Sequence, residues 1–254
     1  MRLQGCFIAG TDTGVGKTRV TVALLDALTA LGVPARGMKA VASGTDAAGR
    51  NEDAELIHAA NARALAAQGA AAQARAAAGA AAAARALRAL ENPYVFEWPI
   101  SPHLAAQRAG VSIDPLRIVA AAHSLAPPEG LLLMEGTGGW LAPIGPQRTM
   151  ADIAAALGLP VLLVVGLRLG CLNHALLTAR AIGASEVPLA GWIGSQVEPA
   201  MLSLQENVAT LDAWLPAPRL GLLPHALSRD GDAARLGAAA RALRALQPPH
   251  PPQA

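Results

Sequence analysis

Residues 10–18 read Gly-Thr-Asp-Thr-Gly-Val-Gly-Lys-Thr. They stand between a short apolar run closed by glycine, residues 5–10, and a stretch, residues 18–31, whose apolar positions recur at helical spacing. Strand, glycine-rich loop and helix in that order is the setting that a phosphate-binding loop requires. Its glycines let backbone N–H groups converge on phosphate oxygens, and the helix N-terminus adds a favourable field. Lys17 is placed to reach the β- and γ-phosphates and the Thr18 hydroxyl to ligate magnesium. Asp12, Thr13, Gly14, Val15, Gly16, Lys17 and Thr18 therefore form a candidate nucleoside triphosphate site. Five residues separate Gly10 from Gly16 where about four are usual, so the loop is a variant. A glycine-rich turn without function is the competing reading.

Further short apolar runs, each ending near glycine, lie at residues 34–41, 131–134, 160–165 and 189–193, with helical patterns between them. This alternation predicts an α/β fold: a doubly wound, mostly parallel sheet with helices on both faces, whose ligands gather at the carboxyl ends of the strands. Residues 1–246 are expected to form one such domain. Within it, residues 63–90 are mostly alanine, carrying Arg63, Arg75, Arg85 and Arg88 and broken by Gly69 and Gly79. Alanine is the best helix former, so one or two exposed helices are expected there. The bulky apolar residues of a basic membrane-surface helix are missing. Residues 247–254 hold four prolines and are expected to be disordered or extended.

Composition narrows the class. In a chain of 254 residues, 53% hydrophobic against 15% charged residues excludes a disordered polymer. A net charge of +2 is too slight for a nucleic-acid surface. Cys6 and Cys171 furnish neither a disulfide framework nor a finger-type zinc site, and a reducing compartment fits them. No apolar stretch reaches the roughly 20 residues of a membrane span, and no secretion signal opens the chain, so a soluble cytoplasmic protein is expected. Of the twenty basic residues only two, Lys17 and Lys39, are lysine. In a chain so biased toward arginine, lysine is expected where a compact, flexible ammonium cannot be replaced by a planar fork.

Lys39 stands in Gly37-Met38-Lys39-Ala40-Val41-Ala42-Ser43-Gly44, at the end of the second apolar run and so at the same sheet edge as the phosphate loop. An ammonium there can steady negative charge shared between a phosphoryl group and its acceptor. A solvated surface lysine is the bland alternative. Asp53 either completes a magnesium shell or caps a helix. Glu135 closes the run 131–134, where phosphate-loop folds place an acidic residue that holds magnesium directly or through water. Cys171 has no lysine beside it and reads as a turn residue, not a nucleophile. His58, His103, His123 and His174 show no metal-ligand spacing.

Several ordered motifs together resemble the dethiobiotin synthetase family: the loop at 10–18, Lys-Ala-Val-Ala-Ser-Gly (39–44), Asn-Pro-Tyr (92–94), Ser-Pro-His (101–103), Glu-Gly-Thr-Gly-Gly-Trp (135–140), Leu-Gly-Cys-Leu-Asn-His-Ala (169–175) and Gly-Trp-Ile (191–193). The resemblance covers most of residues 5–225 and implies a P-loop NTPase-like fold. It also implies a reaction, in which 7,8-diaminopelargonic acid and CO2 form a carbamate, ATP phosphorylates it, and the second amine closes a ureido ring with release of ADP and phosphate. By resemblance Lys39 and Lys17 are catalytic, and Thr18, Asp53 and Glu135 hold Mg2+. Thr13, Lys39 and Ser43 touch the diamine or carbamate. The turn Gly170, Cys171, Leu172 and Asn173 receives the substrate carboxylate from a neighbouring subunit, which implies a homodimer with sites at the interface.

Three departures stand out. Ala40 follows the lysine where the family commonly has proline. Ser195 stands where many relatives place an adenine-reading asparagine, so that role falls to Ser195, to Gln196 or to backbone near Leu223 and Pro224. The alanine-rich stretch is longer than the family needs and reads as an insertion. Three rival classes are set aside because the sequence does not show the features they need: no lysine precedes Lys17, and neither lysine lies in a guanine-reading motif. A partitioning ATPase would carry a further lysine near the start of the loop, and a GTP switch an Asn-Lys-x-Asp-type guanine reader. An amidotransferase-type synthetase would carry a glutaminase domain.

Overall fold

The computed structural model describes residues 3–69, 80–226 and 228–245. Residues 70–79 of the alanine-rich stretch and the proline-rich segment 247–254 lie outside the described residues. Six strands form the central sheet: β1 (Gly5–Gly10), β2 (Ala35–Lys39), β5 (Leu131–Glu135), β8 (Val161–Leu167), β9 (Leu189–Gln196) and β10 (Arg219–Leu223). Their order is β10-β9-β8-β1-β5-β2, and every pairing is parallel. The chain moves to one side of β1 to lay down β2 and β5, then to the other for β8, β9 and β10. The carboxyl ends on either side of β1 thus form the switch-point crevice where ligands bind in open α/β sheets.

Alternation along each strand sends side chains to two separate cores. Cys6, Ile8, Leu131, Leu133, Leu162 and Val164 face α1 (Lys17–Ala30) and α10 (Gly237–Ala245), while Phe7, Ala9, Leu132, Met134, Leu163 and Val165 face the opposite way. Packed on that second face are α5 (Pro115–Leu125), α6 (Met150–Leu157), α7 (Cys171–Ala184) and α8 (Leu204–Trp214). Helices on both faces explain why the strands read as unbroken apolar runs. Among the described residues, no helix is long and apolar enough to cross a membrane.

The expected run 34–41 is divided. β2 stops at Lys39, and β3 (Val41–Ser43) leaves the main sheet to pair in parallel with β4 (Tyr94–Phe96). The break at Ala40 is fixed from the partner strand, whose Tyr94 N–H donates to the Ala40 carbonyl at 3.2 Å. β10 and the small hairpin of β6 (Pro143–Gly145) and β7 (Arg148–Thr149) carried no periodic signal, since β10 is a short edge strand of half-buried residues. Three further helices complete the site's surroundings: α2 (Glu52–Ala67), α3 (Ala80–Glu91) and α9 (Arg229–Arg235). A short α4 (Pro102–Arg108) covers the β3–β4 pair.

Candidate active site

The loop after β1 turns tightly because Gly14 and Gly16 hold φ of 72° and 88°, in the left-handed region that glycine enters without strain. Gly16 is the N-cap of α1 but offers no side-chain acceptor, and the first turn contains no acidic residue. The free N–H groups and positive end of α1 are therefore left for an anion. Gly10 is needed for closeness: a Cβ there would stand 2.9 Å from Lys17 Nζ. The Lys17 ammonium arches over the loop, donating to the carbonyls of Asp12 (2.8 Å) and Gly138 (2.7 Å). Burial lowers its pKa to about 8, an effect that the Glu135 carboxylate partly opposes. Asp12 accepts from the Thr13 N–H and pairs with Arg168 at 2.7 Å, tying the loop to the end of β8. The Thr13 side chain lies toward Gly138, whose added Cβ would approach its hydroxyl to 3.8 Å.

Glu135 is the hub. It is fully buried, with Oε1 accepting from Thr18 Oγ1 (2.7 Å) and Lys39 Nζ (2.6 Å) and Oε2 from Thr21 Oγ1 (2.8 Å). The register of β2 on β5 sets Lys39 opposite Glu135. Lys39 also donates to Asp53 Oδ2 at 2.8 Å. Burial disfavours the Lys39 charge, yet the two carboxylates outweigh it and hold its pKa above the usual lysine value. In turn burial would raise the Asp53 pKa, but the charge and hydrogen bond of Lys39, with help from Thr18, keep it below the usual carboxylate value. The capping alternative for Asp53 fails: Asn51 caps α2, accepting from the Ala54 N–H at 3.1 Å, and its amide also holds the Gly44 carbonyl at 2.7 Å. Glu135, Thr18, Lys39 and Asp53 thus converge, whereas a solvated surface lysine at 39 is excluded by its 4% exposure.

Sequence reasoning missed what fixes Lys39. The Asn92 amide donates to the Lys39 carbonyl. Two residues earlier Gly37 bonds through both backbone groups to Asn61, its N–H donating to Oδ1 (2.7 Å) and its carbonyl accepting from Nδ2 (2.8 Å). Among the described residues no strand flanks β2 on that side, and the Asn61 amide stands in for one. Asn61 also donates to Glu91, whose other oxygen lies 2.6 Å from His58 Nδ1. The motif 92–94 carried a signal for Asn92; an asparagine inside an alanine-rich helix carried none for Asn61.

On the other side of β1, Ser195 is buried at the end of β9, so close to Gly16 that a Cβ on that glycine would come within 2.5 Å of its Oγ. Gln196 and residues 223–225 adjoin it: Leu223 is in register with Ser195, and the His225 N–H donates to Gln196 Oε1 at 3.4 Å. Ser43 lies beside a cleft of about 880 Å³ shared with Asp53, Gly44, Asn51, Leu56 and Pro99, and its buried Oγ has no hydrogen-bond partner among the described residues. The turn 170–173 opens α7; Gly170, at φ 95°, is an N-cap without a side-chain acceptor, Cys171 is buried in the core and Asn173 is exposed.

No group of three or more His, Cys, Asp or Glu able to hold a metal occurs among the described residues. One hydroxyl and two carboxylates do converge, an all-oxygen set suited to Mg2+, which binds few protein groups and takes its other ligands from phosphates and water.

A phosphate loop at the switch point of a parallel six-stranded sheet, with its lysine and threonine buried beside an acidic strand end, is the architecture of a P-loop nucleotide-binding enzyme. Residues 4–231 match the family described as an AAA domain. The MinD cell division protein of Aquifex aeolicus has the same fold, with a TM-score of 0.52 over 97% of this chain and 98% of its own, at 16% identity. The sequence relatives are more specific. The ATP-dependent dethiobiotin synthetase BioD of Nitrosospira multiformis is 42% identical over 242 residues, 92% of this chain and 97% of its own length. That of Aromatoleum aromaticum is 44% identical over 227 residues, 88% and 92% respectively. The chain belongs to the ATP-dependent dethiobiotin synthetase family.

Proposed function

We infer that this chain is the ligase that joins CO2 to 7,8-diaminopelargonic acid (7,8-diaminononanoate) and closes the ureido ring of dethiobiotin at the expense of ATP, within biotin biosynthesis. The observation that carries the chemistry is Lys39, a buried ammonium held between Glu135 and Asp53 beside the phosphate loop. One amine of the substrate takes up CO2 and loses a proton, giving a carbamate. A carbamate oxygen attacks the γ-phosphorus and ADP leaves. The second amine then attacks the carbonyl carbon, phosphate departs, and the ring is closed.

The residues supply what this sequence needs. Carbamate and triphosphate repel each other, so Lys17 and Lys39 are placed to neutralise both and to hold them together. Thr18, Asp53 and Glu135 are the groups that would hold Mg2+, which when bound screens the triphosphate and polarises the transferred phosphoryl group. Thr13 and Ser43 are assigned to the diamine and carbamate, and the unpartnered Ser43 hydroxyl supports that role. Ser195, Gln196, Leu223 and Pro224 are assigned to the nucleoside. The turn of Gly170, Cys171, Leu172 and Asn173 is assigned to the substrate carboxylate of a second subunit, and in support the flanking Leu169 and Leu177 are 94% and 56% exposed. We place the homodimer in the cytoplasm, where free thiols such as Cys6 and Cys171 persist.

Phosphate release should require Mg-ATP, the diamine and bicarbonate together, with one dethiobiotin per ATP by mass spectrometry and no release after chelation. Release indifferent to the diamine would overturn the assignment in favour of a nucleotide switch.

A further inference from the structure

Lys39 and Glu135 end β2 and β5, on one side of β1. A triphosphate in the loop 10–18 with its γ-phosphoryl group directed to them must carry its nucleoside the other way, over the ends of β9 and β10. The chain there, residues 223–225, leaves the edge strand at a proline and is held by few groups. Pro224 has no N–H to donate, and among the described residues the His225 N–H has only a long bond of 3.4 Å to Gln196. The firm tie comes from Arg19, the first residue beyond Thr18. Its Nη2 donates to the Pro224 carbonyl at 2.8 Å, while Nε and Nη2 fork onto Asp232 Oδ2 and Oδ1, each at 2.6 Å. Asp232, in α9, is 4% exposed, and Arg19's side chain is 26% exposed.

We propose that Arg19, locked by Asp232, is the positioning residue of the nucleoside subsite, fixing residues 223–225 at a set distance from the phosphate loop. This rests on the reading of residues 10–18 as a triphosphate site. A planar guanidinium with both carboxylate bonds made is held in one orientation, so the second N–H of Nη2 pins the Pro224 carbonyl and fixes the segment that would meet the base. A lysine cannot make the same three bonds in fixed geometry. Because Arg19 follows Thr18 directly on α1, the anchor of the base-facing chain is built into the helix that binds the phosphates.

The test separates base from phosphate. Removing Arg19 alone would strand a buried carboxylate, so the informative variant is the double replacement Arg19→Met/Asp232→Leu, which exchanges the ion pair for apolar groups of similar size. Calorimetry on the full chain would compare Mg-ATP, Mg-CTP and Mg-tripolyphosphate. The variant should bind Mg-ATP about tenfold more weakly, with discrimination between ATP and CTP narrowed and tripolyphosphate affinity held within about twofold. Asp232→Asn, which keeps the shape and weakens the fork, should reproduce a smaller loss in the same direction. Unchanged ATP affinity in both variants overturns the proposal, as does an equal loss for ATP and tripolyphosphate, which would put Arg19 at the phosphate loop and not at the base. Wild-type protein that bound neither ligand would instead overturn the triphosphate reading itself.

Discussion

Glu135 shows how much a single residue can constrain. A fully buried carboxylate is tolerated because each oxygen is occupied, one by Thr18 and Lys39 and the other by Thr21. Lys39 neutralises Glu135 and is the proposed partner of the reacting groups, and the substitutions can be chosen to separate the two roles. Lys39→Gln keeps a donor toward Glu135, so Mg-ATP binding should hold within a few fold while turnover falls by about 10²- to 10³-fold in a phosphate-release assay. Lys39→Met leaves the buried charge unpaired and should cost about 3–5 kcal/mol in denaturant unfolding as well. The thiols behave differently. Burial pushes Cys6 up to about 12, so at neutral pH it carries almost no thiolate. Native protein treated with a maleimide should show no adduct at Cys6 by mass spectrometry, and a complete one after denaturation.

At the scale of elements, the placement of Lys39 depends on side chains from α2 and from just past α3 that lie outside the cluster of Lys39, Glu135, Asp53 and Thr18. α2 approaches β2 closely because position 37 is glycine; a Cβ there would stand 2.7 Å from Ile57 and 2.8 Å from Leu25. That approach lets Asn61 close the sheet edge, while Asn92, just past α3, holds the Lys39 carbonyl where β2 gives way to β3. Asn61→Ala would orphan both backbone groups of Gly37 and one oxygen of Glu91, and should lower stability by about 3 kcal/mol or more. Asn92→Ala loosens only the strand end. It should lower stability by about 1 kcal/mol yet reduce kcat more than it raises KM for ATP, since the phosphate loop is untouched. A rise in KM for ATP with kcat unchanged would show that Asn92 does not position Lys39.

For the whole molecule, a shared site has a measurable consequence. If the turn 170–173 completes the neighbouring subunit's substrate pocket, specific activity should drop on dilution through the dimer dissociation range, in step with the mass seen by analytical ultracentrifugation. Constant activity from a monomer would leave the carboxylate to be bound within one chain. Much of this molecule was already legible in its sequence. The strand–loop–helix of residues 5–31, the buried strands and the lysines at 17 and 39 follow from local rules: apolar runs make buried strands, and glycines followed by Lys-Thr make a phosphate cradle. Local pattern also placed Glu135 at a strand end. Long-range pairing decided the rest. Asp53 turned from a possible cap into a partner of Lys39 because Asn51 takes the cap and α2 packs along the edge strand. The division of residues 34–41, the Asn61 amide at the sheet edge and the reach of Arg19 to Asp232 join groups far apart in the chain, and no local period encodes such contacts. The sequence by itself determined which chemistry could gather at the carboxyl ends of the strands; only the tertiary structure decided which side chains hold it in place, because side-chain neighbours across a sheet edge are set by packing.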